Sequence, residues 1–272
     1  MHAVILAIPW SWLALFLAAP LGIIVAIALA QPADGIPPYA LGWHLDALSL
    51  VLTDPLYLEA LLLSLRVAGI ATLACLLIGY PMALAIARAS ARWREALLLA
   101  VMLPFWTGFL MRINAWIGLL ADQGWINALL AAVGLGPVPL LYTQGAMFVG
   151  IVYTYLPFMI LPLYTRLSRL DPVLMEAAAD LGAPPRTVFL RVTLPLSVPG
   201  IVAGCALVFI PAVGEYIIPE LLGGPDAALI GRVLWGEFFN NRDWPTAAAL
   251  ALCLLLLLVA LPAAGRALLR RP

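Results

Sequence analysis

The chain is constrained above all by the recurrence of charge-poor apolar runs long enough to cross a bilayer. A hydrocarbon core about 30 Å thick is spanned by about 20 residues of helix. Six stretches meet that need, at roughly 10–30, 61–86, 96–120, 146–165, 197–217 and 246–265. Each is a continuous run of leucine, alanine, valine and isoleucine, unlike the short alternating segments of a barrel. Lipid offers no partner to unpaired backbone groups, so helices are the expected form. The reading is an all-α integral membrane protein of six transmembrane helices, a single domain over 1–272 with a loop at 166–195 inside it. Composition agrees, with 65% hydrophobic and 10% charged residues, where soluble chains hold about 45–50% and about 25%. The mean hydropathy is +1.07. These values exclude a disordered chain, a basic nucleic-acid binder and a disulfide-stapled module.

The first run is preceded by neither lysine nor arginine, although Ala28 and Ala30 before Gln31 have the small-residue look of a cleavage site. Its length exceeds the roughly 7–15 apolar residues of a signal peptide, so a retained helix is expected. Formal net charge is zero, and all fourteen basic residues are arginine. Their placement sets an orientation. Arg88, Arg92 and Arg94 share one side with Arg166, Arg169, Arg186, Arg191, Arg266, Arg270 and Arg271, whereas the opposite loops carry only Arg232 and Arg242. Both termini are therefore expected in the cytoplasm. Cys75, Cys205 and Cys253 fall mid-span and read as small buried hydrophobes, and no metal-binding or nucleotide-binding motif is present.

The informative segment lies between the fourth and fifth runs. Asp171 and Pro172 suit an N-cap and first helical position. Ala177 to Ala179 favour helix, and Gly182 can end it in a left-handed conformation. Pro184 and Pro185 then restart a second short segment, with Val188, Phe189 and Val192 on an apolar face. Two short helices joined at a glycine form a knob suited to a groove on a soluble partner.

This segment resembles the EAA motif of ATP-binding-cassette importer permeases. Glu176, Ala177 and Ala178 are followed by Gly182, and then by Val192, Leu194 and Pro195 at the motif's spacing, with Val192 replacing the usual isoleucine. The resemblance extends over nearly the whole chain and is to the polyamine permeases. It is carried by Ile36–Tyr39, Asp54–Leu65, Leu76–Pro81, Leu103–Ile113, Tyr155–Tyr164 and Phe209–Pro245, the last being most similar to the putrescine permease subunit. It implies a type I importer permease fold in the bacterial inner membrane and no enzymatic activity in this chain. It also implies a heterodimer with a second permease, two ATPase subunits that bind ATP and magnesium, and a periplasmic binding protein. No cofactor is expected in this chain. By the same resemblance Glu176 contacts the ATPase and Gly182 is the turn of the coupling segment.

A cationic cargo draws attention to acids and aromatic faces near the outer side. Glu215 stands at the outer end of the fifth run, with Tyr216 and Glu220 following. On a continuous helix the two acids lie about 140° apart, unless Pro219 breaks it. Trp106, Tyr153, Tyr155, Trp235 and Phe238 are the further substrate-path candidates, against the bland alternative of an interfacial aromatic belt. Arg112 lies within the third run, and a structural ion pair is expected for it, with Glu215 a partner to consider. Gly200 and Gly204 form a GxxxG on the fifth run, which serves either a permease–permease interface or internal packing. Two other classes remain as alternatives: a secondary carrier, for which the halves show no self-similarity, and a membrane enzyme, for which no nucleophile–base constellation is visible. Another cargo, such as spermidine or a different organic cation, is the alternative within the permease class.

Overall fold

The computed structural model describes residues 2–269, with side chains described at 7 and 9–260. Arg270 and Arg271 of the C-terminal arginine group lie outside the described residues, as does the side chain of Arg266. In chain order the elements are α1 (His2–Leu13), α2 (Ala19–Ala28), β1 (Gln31–Pro32), β2 (Tyr39–Ala40), α3 (Asp46–Thr53) and α4 (Pro55–Arg88). They continue with α5 (Ala91–Trp106), α6 (Phe109–Leu120), α7 (Trp125–Ala132), α8 (Gln144–Leu167), α9 (Pro172–Asp180) and α10 (Pro185–Val188). The last are α11 (Leu194–Val213), α12 (Ile217–Leu222), α13 (Ile230–Trp235) and α14 (Trp244–Leu269). π-helical turns at Ala14–Ala18 and Phe189–Thr193 join α1 to α2 and α10 to α11, and a third at Gly236–Asn240 extends α13.

Four helices are long and apolar enough to span a membrane unbroken: Pro9–Ala28, Pro55–Arg88, Gln144–Leu167 and Pro185–Val213. The last predicted run corresponds to α14, whose described apolar part is Trp244–Ala260. The third run, expected as one helix over 96–120, is broken. Its two parts, Ala91–Trp106 and Phe109–Ala132, are bent by 91°. Thr107 and Gly108 both adopt extended backbone there, and the Thr107 hydroxyl donates to the Pro104 carbonyl at 2.7 Å. That bond supplies a donor to a carbonyl which the ended helix leaves unpaired.

The fifth run also ends earlier than its hydropathy suggests. α11 stops at Val213, and Gly214 to Tyr216 separate it from the short α12. The break falls at Gly214, not at Pro219. Pro219 sits buried within the first turn of α12, where a missing N–H costs nothing because no helical acceptor precedes it.

The chain packs as two compact units, residues 64–228 and residues 1–63 with 229–272. In the first, α8 and α11 form the main pairing, and glycines set how closely they approach. A Cβ built on Gly204 would lie 2.7 Å from Met159 Sδ and 3.2 Å from the Met159 carbonyl oxygen. One on Gly200 would lie 2.9 Å from Arg166 Cβ. The GxxxG pair thus seats α11 directly on α8 of the same chain, which answers the open alternative in favour of internal packing. Gly150 on α8 gives room in the same way to Ile218 and Leu222 of α12. Ile113, Met147, Ile151, Met159, Leu163 and Val208 are among the fully buried side chains around this pairing. The buried Tyr80 and Ser197 hydroxyls meet at 3.0 Å and satisfy each other.

In the second unit α14 packs on α2 and α3, with Ala28, Ala47, Ala247, Ala249 and Leu250 buried. Asp243 opens α14 as an N-cap, accepting from Thr246 N at 3.1 Å and Thr246 Oγ1 at 2.8 Å. β1 and β2 pair antiparallel, Gln31 with Ala40 and Pro32 with Tyr39.

Candidate functional site

The 166–195 segment folds as its sequence suggests at its start. Asp171 accepts a hydrogen bond from Val173 N at 3.0 Å, and Pro172 occupies the first turn of α9. At the other end Gly182 takes φ +80°. The Gly182 amide donates to the Ala179 carbonyl at 2.8 Å and the Ala183 amide to the Ala178 carbonyl at 3.1 Å. That pair of bonds, one spanning three residues and one spanning five, is a Schellman closure. It gives the motif's spacing a physical reason. Ala178 must lie four residues before a glycine because its carbonyl receives the bond from the residue beyond that glycine. Small alanines at 177 and 178 leave the helix surface low, and Glu176 is exposed on it. Glu176 also lines a cleft of about 460 Å³ together with Arg88, Arg94, Met175 and Thr193. Leu181 is 89% exposed and Val173 60%, so the tip of the knob is apolar.

The second half differs from the expected pair of short helices. α10, the π turn and α11 run on as one helix, Pro185–Val213, which carries the loop directly into the fifth span. Proline at 195 lacks the N–H that would continue an ordinary α-helical ladder. The chain widens into a π turn just before it, with Leu194 N bonded to the Phe189 carbonyl five residues back. Val192 and Leu194, both half-buried, lie at this widening, and Pro195 is exposed. Tyr80 packs edge-on against Phe189 at 5.8 Å, anchoring the turn to α4.

The other predicted residues fall into two groups. Glu215 caps the broken end of the fifth span: its Oε1 accepts from Ile217 N at 3.1 Å and Ile218 N at 3.4 Å, and its Oε2 accepts from the Tyr155 hydroxyl. Tyr155, buried at 8% exposure, lies on α8 with Phe158 6.1 Å away, three residues on and on the same face. Phe158 meets Phe105 edge-on at 5.2 Å, and Phe105 in turn lies 5.3 Å from the Arg112 guanidinium. Arg112 also lies 5.7 Å from the Phe109 ring. The expected Arg112–Glu215 ion pair is therefore not formed. Glu215 spends its oxygens on Tyr155 and two amides, and Arg112 lies against the rings of Phe105 and Phe109 instead. Tyr153 packs edge-on against Trp116 at 5.4 Å, Trp106 is 78% exposed at the end of α5, and Glu220 is exposed on α12 beyond Tyr216.

Trp235 and Phe238 belong to the other unit. Phe238 stacks on Trp244 at 4.8 Å with an interplanar angle of 11°, and Trp235 lies 4.0 Å from Phe239. Residue 238 is a packing residue beneath the start of α14. Sequence reasoning passed over Glu237 beside it, which is buried and accepts from the Tyr57 hydroxyl at 3.0 Å and from Asn241 Nδ2 at 2.9 Å. It also passed over Arg94, whose Nη2 donates to the Ala87 and Ala89 carbonyls and so closes the C-terminal end of α4. The position of Arg94, eight residues after the end of the 61–86 run, was the available signal, since cations favour helix C-termini.

Residues 2–272 match the family described as the binding-protein-dependent transport system inner membrane component. The chain belongs to this family. It is 41% identical over 257 residues to the spermidine/putrescine transport system permease protein PotB of Haemophilus influenzae, covering 94% of this chain and 89% of that protein. It is 45% identical over 205 residues to PotB of Escherichia coli, covering 75% and 74%. Among solved structures it resembles a chain of a bacterial ABC transporter involved in the import of the acidic polysaccharide alginate. That match has a TM-score of 0.70 at 22% identity and covers 97% of this chain and 94% of that one. The shared fold is that of an ABC importer permease, and this chain is a transport subunit of the inner membrane.

Proposed function

We propose that this chain is a permease subunit of an ATP-driven polyamine importer, with putrescine as cargo and spermidine as the close second. The observation that carries the reading is the Pro172–Pro195 segment, where the Glu-Ala-Ala and glycine elements shape an exposed turn and the leucine-proline element lies where the chain widens into the fifth span. The relatives named for spermidine and putrescine supply the cargo class.

In this reading the arginine-rich side is cytoplasmic, both termini with it. The knob seats its apolar tip, Leu181 and Val173, in a groove of one of two ATPase subunits, where Glu176 makes a polar contact. ATP and magnesium are held by those subunits, and this chain carries no cofactor. A second permease completes the membrane domain, and a periplasmic binding protein delivers the cargo. Closure of the ATPases moves the knob, and the continuous Pro185–Val213 helix carries the displacement into the membrane. At its far end the helix stops at Gly214, so motion is passed to α12 through Glu215, which is bonded both to that segment and to α8. Glu215, Tyr216, Glu220, Trp106, Tyr153 and Tyr155 are the path candidates within 64–228, and Trp235 is a separate candidate within the other unit. Of these, Glu215 acts through its bonds to Tyr155 and α12 rather than as a free carboxylate.

The test is uptake by the whole transporter in energised cells or vesicles. Labelled putrescine should be taken up and displaced by unlabelled putrescine and spermidine. Displacement by sulfate or molybdate alone would refute the cargo class. Gly182→Pro should abolish uptake while the chain still inserts, because proline cannot adopt φ +80°. Full transport by that variant would refute the coupling role.

A further inference from the structure

Among the described residues, none offers an acceptor to two of the nitrogens of the half-buried Arg112. Its Nε and Nη1 are buried and make no hydrogen bond. An arginine cannot shed its proton to escape that situation. The rings of Phe105 and Phe109, one before the break in the third span and one after it, hold the guanidinium at the bend at 5.3 and 5.7 Å. Cation–π contact holds the cation in place but accepts no hydrogen bond from its N–H groups. Glu215, the acid that sequence would pair with it, is already engaged by Tyr155, Ile217 and Ile218.

The surroundings of the break add a second observation. Leu103, Trp106, Leu110 and Met111 are exposed at 63%, 78%, 57% and 73%. They lie on the two arms of a 91° bend, next to non-helical backbone at Thr107 and Gly108. Within a membrane, backbone that leaves the helical ladder is not left facing lipid, because hydrocarbon cannot pair its N–H and C=O groups. Lipid tails would cover the four apolar side chains but would bring no acceptor to Arg112. A soluble protein would bring acceptors but would meet a surface of leucine, tryptophan and methionine. A membrane-embedded segment bearing an acid satisfies both.

We propose that the α5–α6 break is the face that receives the second permease subunit, and that a carboxylate of that subunit completes the hydrogen bonding of Arg112. This rests on the heterodimer reading above. Trp106 and Met111 then pack against an apolar helix of the partner, and Arg112 selects that helix by its acid.

The test uses the intact transporter in native membranes, with a photoreactive benzoyl-phenylalanine in place of Met111, and separately in place of Trp106. Irradiation should join this chain to the second permease, and the joined peptide should contain an aspartate or glutamate. Arg112→Met should lower the second permease recovered with this chain about tenfold, whereas Arg112→Lys should retain most of it. Replacing the partner's acid by its amide should give the same loss as Arg112→Met, and combining the two changes should add little. The photoreactive variants leave Arg112 intact, so a folding defect of Arg112→Met does not hide the answer. If the second permease is never recovered with the unaltered chain, the heterodimer reading fails. If it is recovered but both positions join only lipid, an ATPase, the binding protein or another copy of this chain, the docking face is wrong. Undiminished recovery with Arg112→Met overturns the role of the carboxylate.

Discussion

Pro9–Ala28 and Gln144–Leu167 are both helices long and apolar enough to cross a membrane, yet 6% of the first span's window is buried within the chain and 56% of the second's. The difference does not come from hydrophobicity, which both have in excess. It comes from where small residues meet neighbours. On α8 and its partner α11, a side chain at Gly204 or Gly150 would collide with Met159, or with Ile218 and Leu222. On the first span, a Cβ at Gly22 would meet nothing within 4 Å, and Trp10, Trp12, Phe16 and Leu17 project outward. In a membrane, where apolar side chains gain little by leaving lipid for protein, close packing decides which helix is interior.

This contrast can be broken by substitution. Gly204→Leu should be the most damaging change, costing about 3 kcal/mol by overpacking against Met159, and it should show as a large loss of thermal stability of the purified complex. A stability loss below about 1 kcal/mol would mean that the α8–α11 contact is looser than described. Tyr155→Phe probes the polar side of the same buried helix. It removes one donor to Glu215 and should cost about 1.5 kcal/mol, as expected for a hydrogen bond to a charged group. Glu215→Gln should cost no more than Tyr155→Phe in stability if capping by Ile217 and Ile218 persists, and a collapse of the fold would show that the carboxylate does more. Asp171→Ala acts where the chain leaves α8 for the exposed α9. Loss of this N-cap should cost about 1 kcal/mol locally, read as faster amide exchange at Val173 with little change in global unfolding. At the weak end, Gly22→Leu should stay within about 0.5 kcal/mol, the usual range for surface changes. A large effect there would erase the distinction between the two spans, or place an unseen neighbour on the first.

Much of the knob was legible in advance because each of its signals is local. An aspartate before a proline, a run of alanines and a glycine each act on backbone groups within five residues, so position alone conveys the structure. The π turn at Phe189–Thr193 was not legible, because whether a chain answers a proline by ending a helix or by widening it depends on what packs against that turn. Here Tyr80 and the α4 surface hold it. The sequence offered Pro219 as a conditional breaker of the fifth run, and the break falls instead at Gly214 for a related reason. Proline is a strong breaker only where an N–H is needed, and a first-turn position has no such need.

The sequence by itself determined the membrane class, the arginine asymmetry and the EAA-like pattern, since these depend on composition and short-range backbone chemistry. Only the tertiary structure decided that Gly200 and Gly204 face α8, that Glu215 is bound by Tyr155 and two amides, and that Arg112 lies against two phenylalanine rings rather than an acid. Charges far apart in sequence choose partners by the packing that delivers them. Among the described residues that packing left Arg112 with two buried donors and no acceptor.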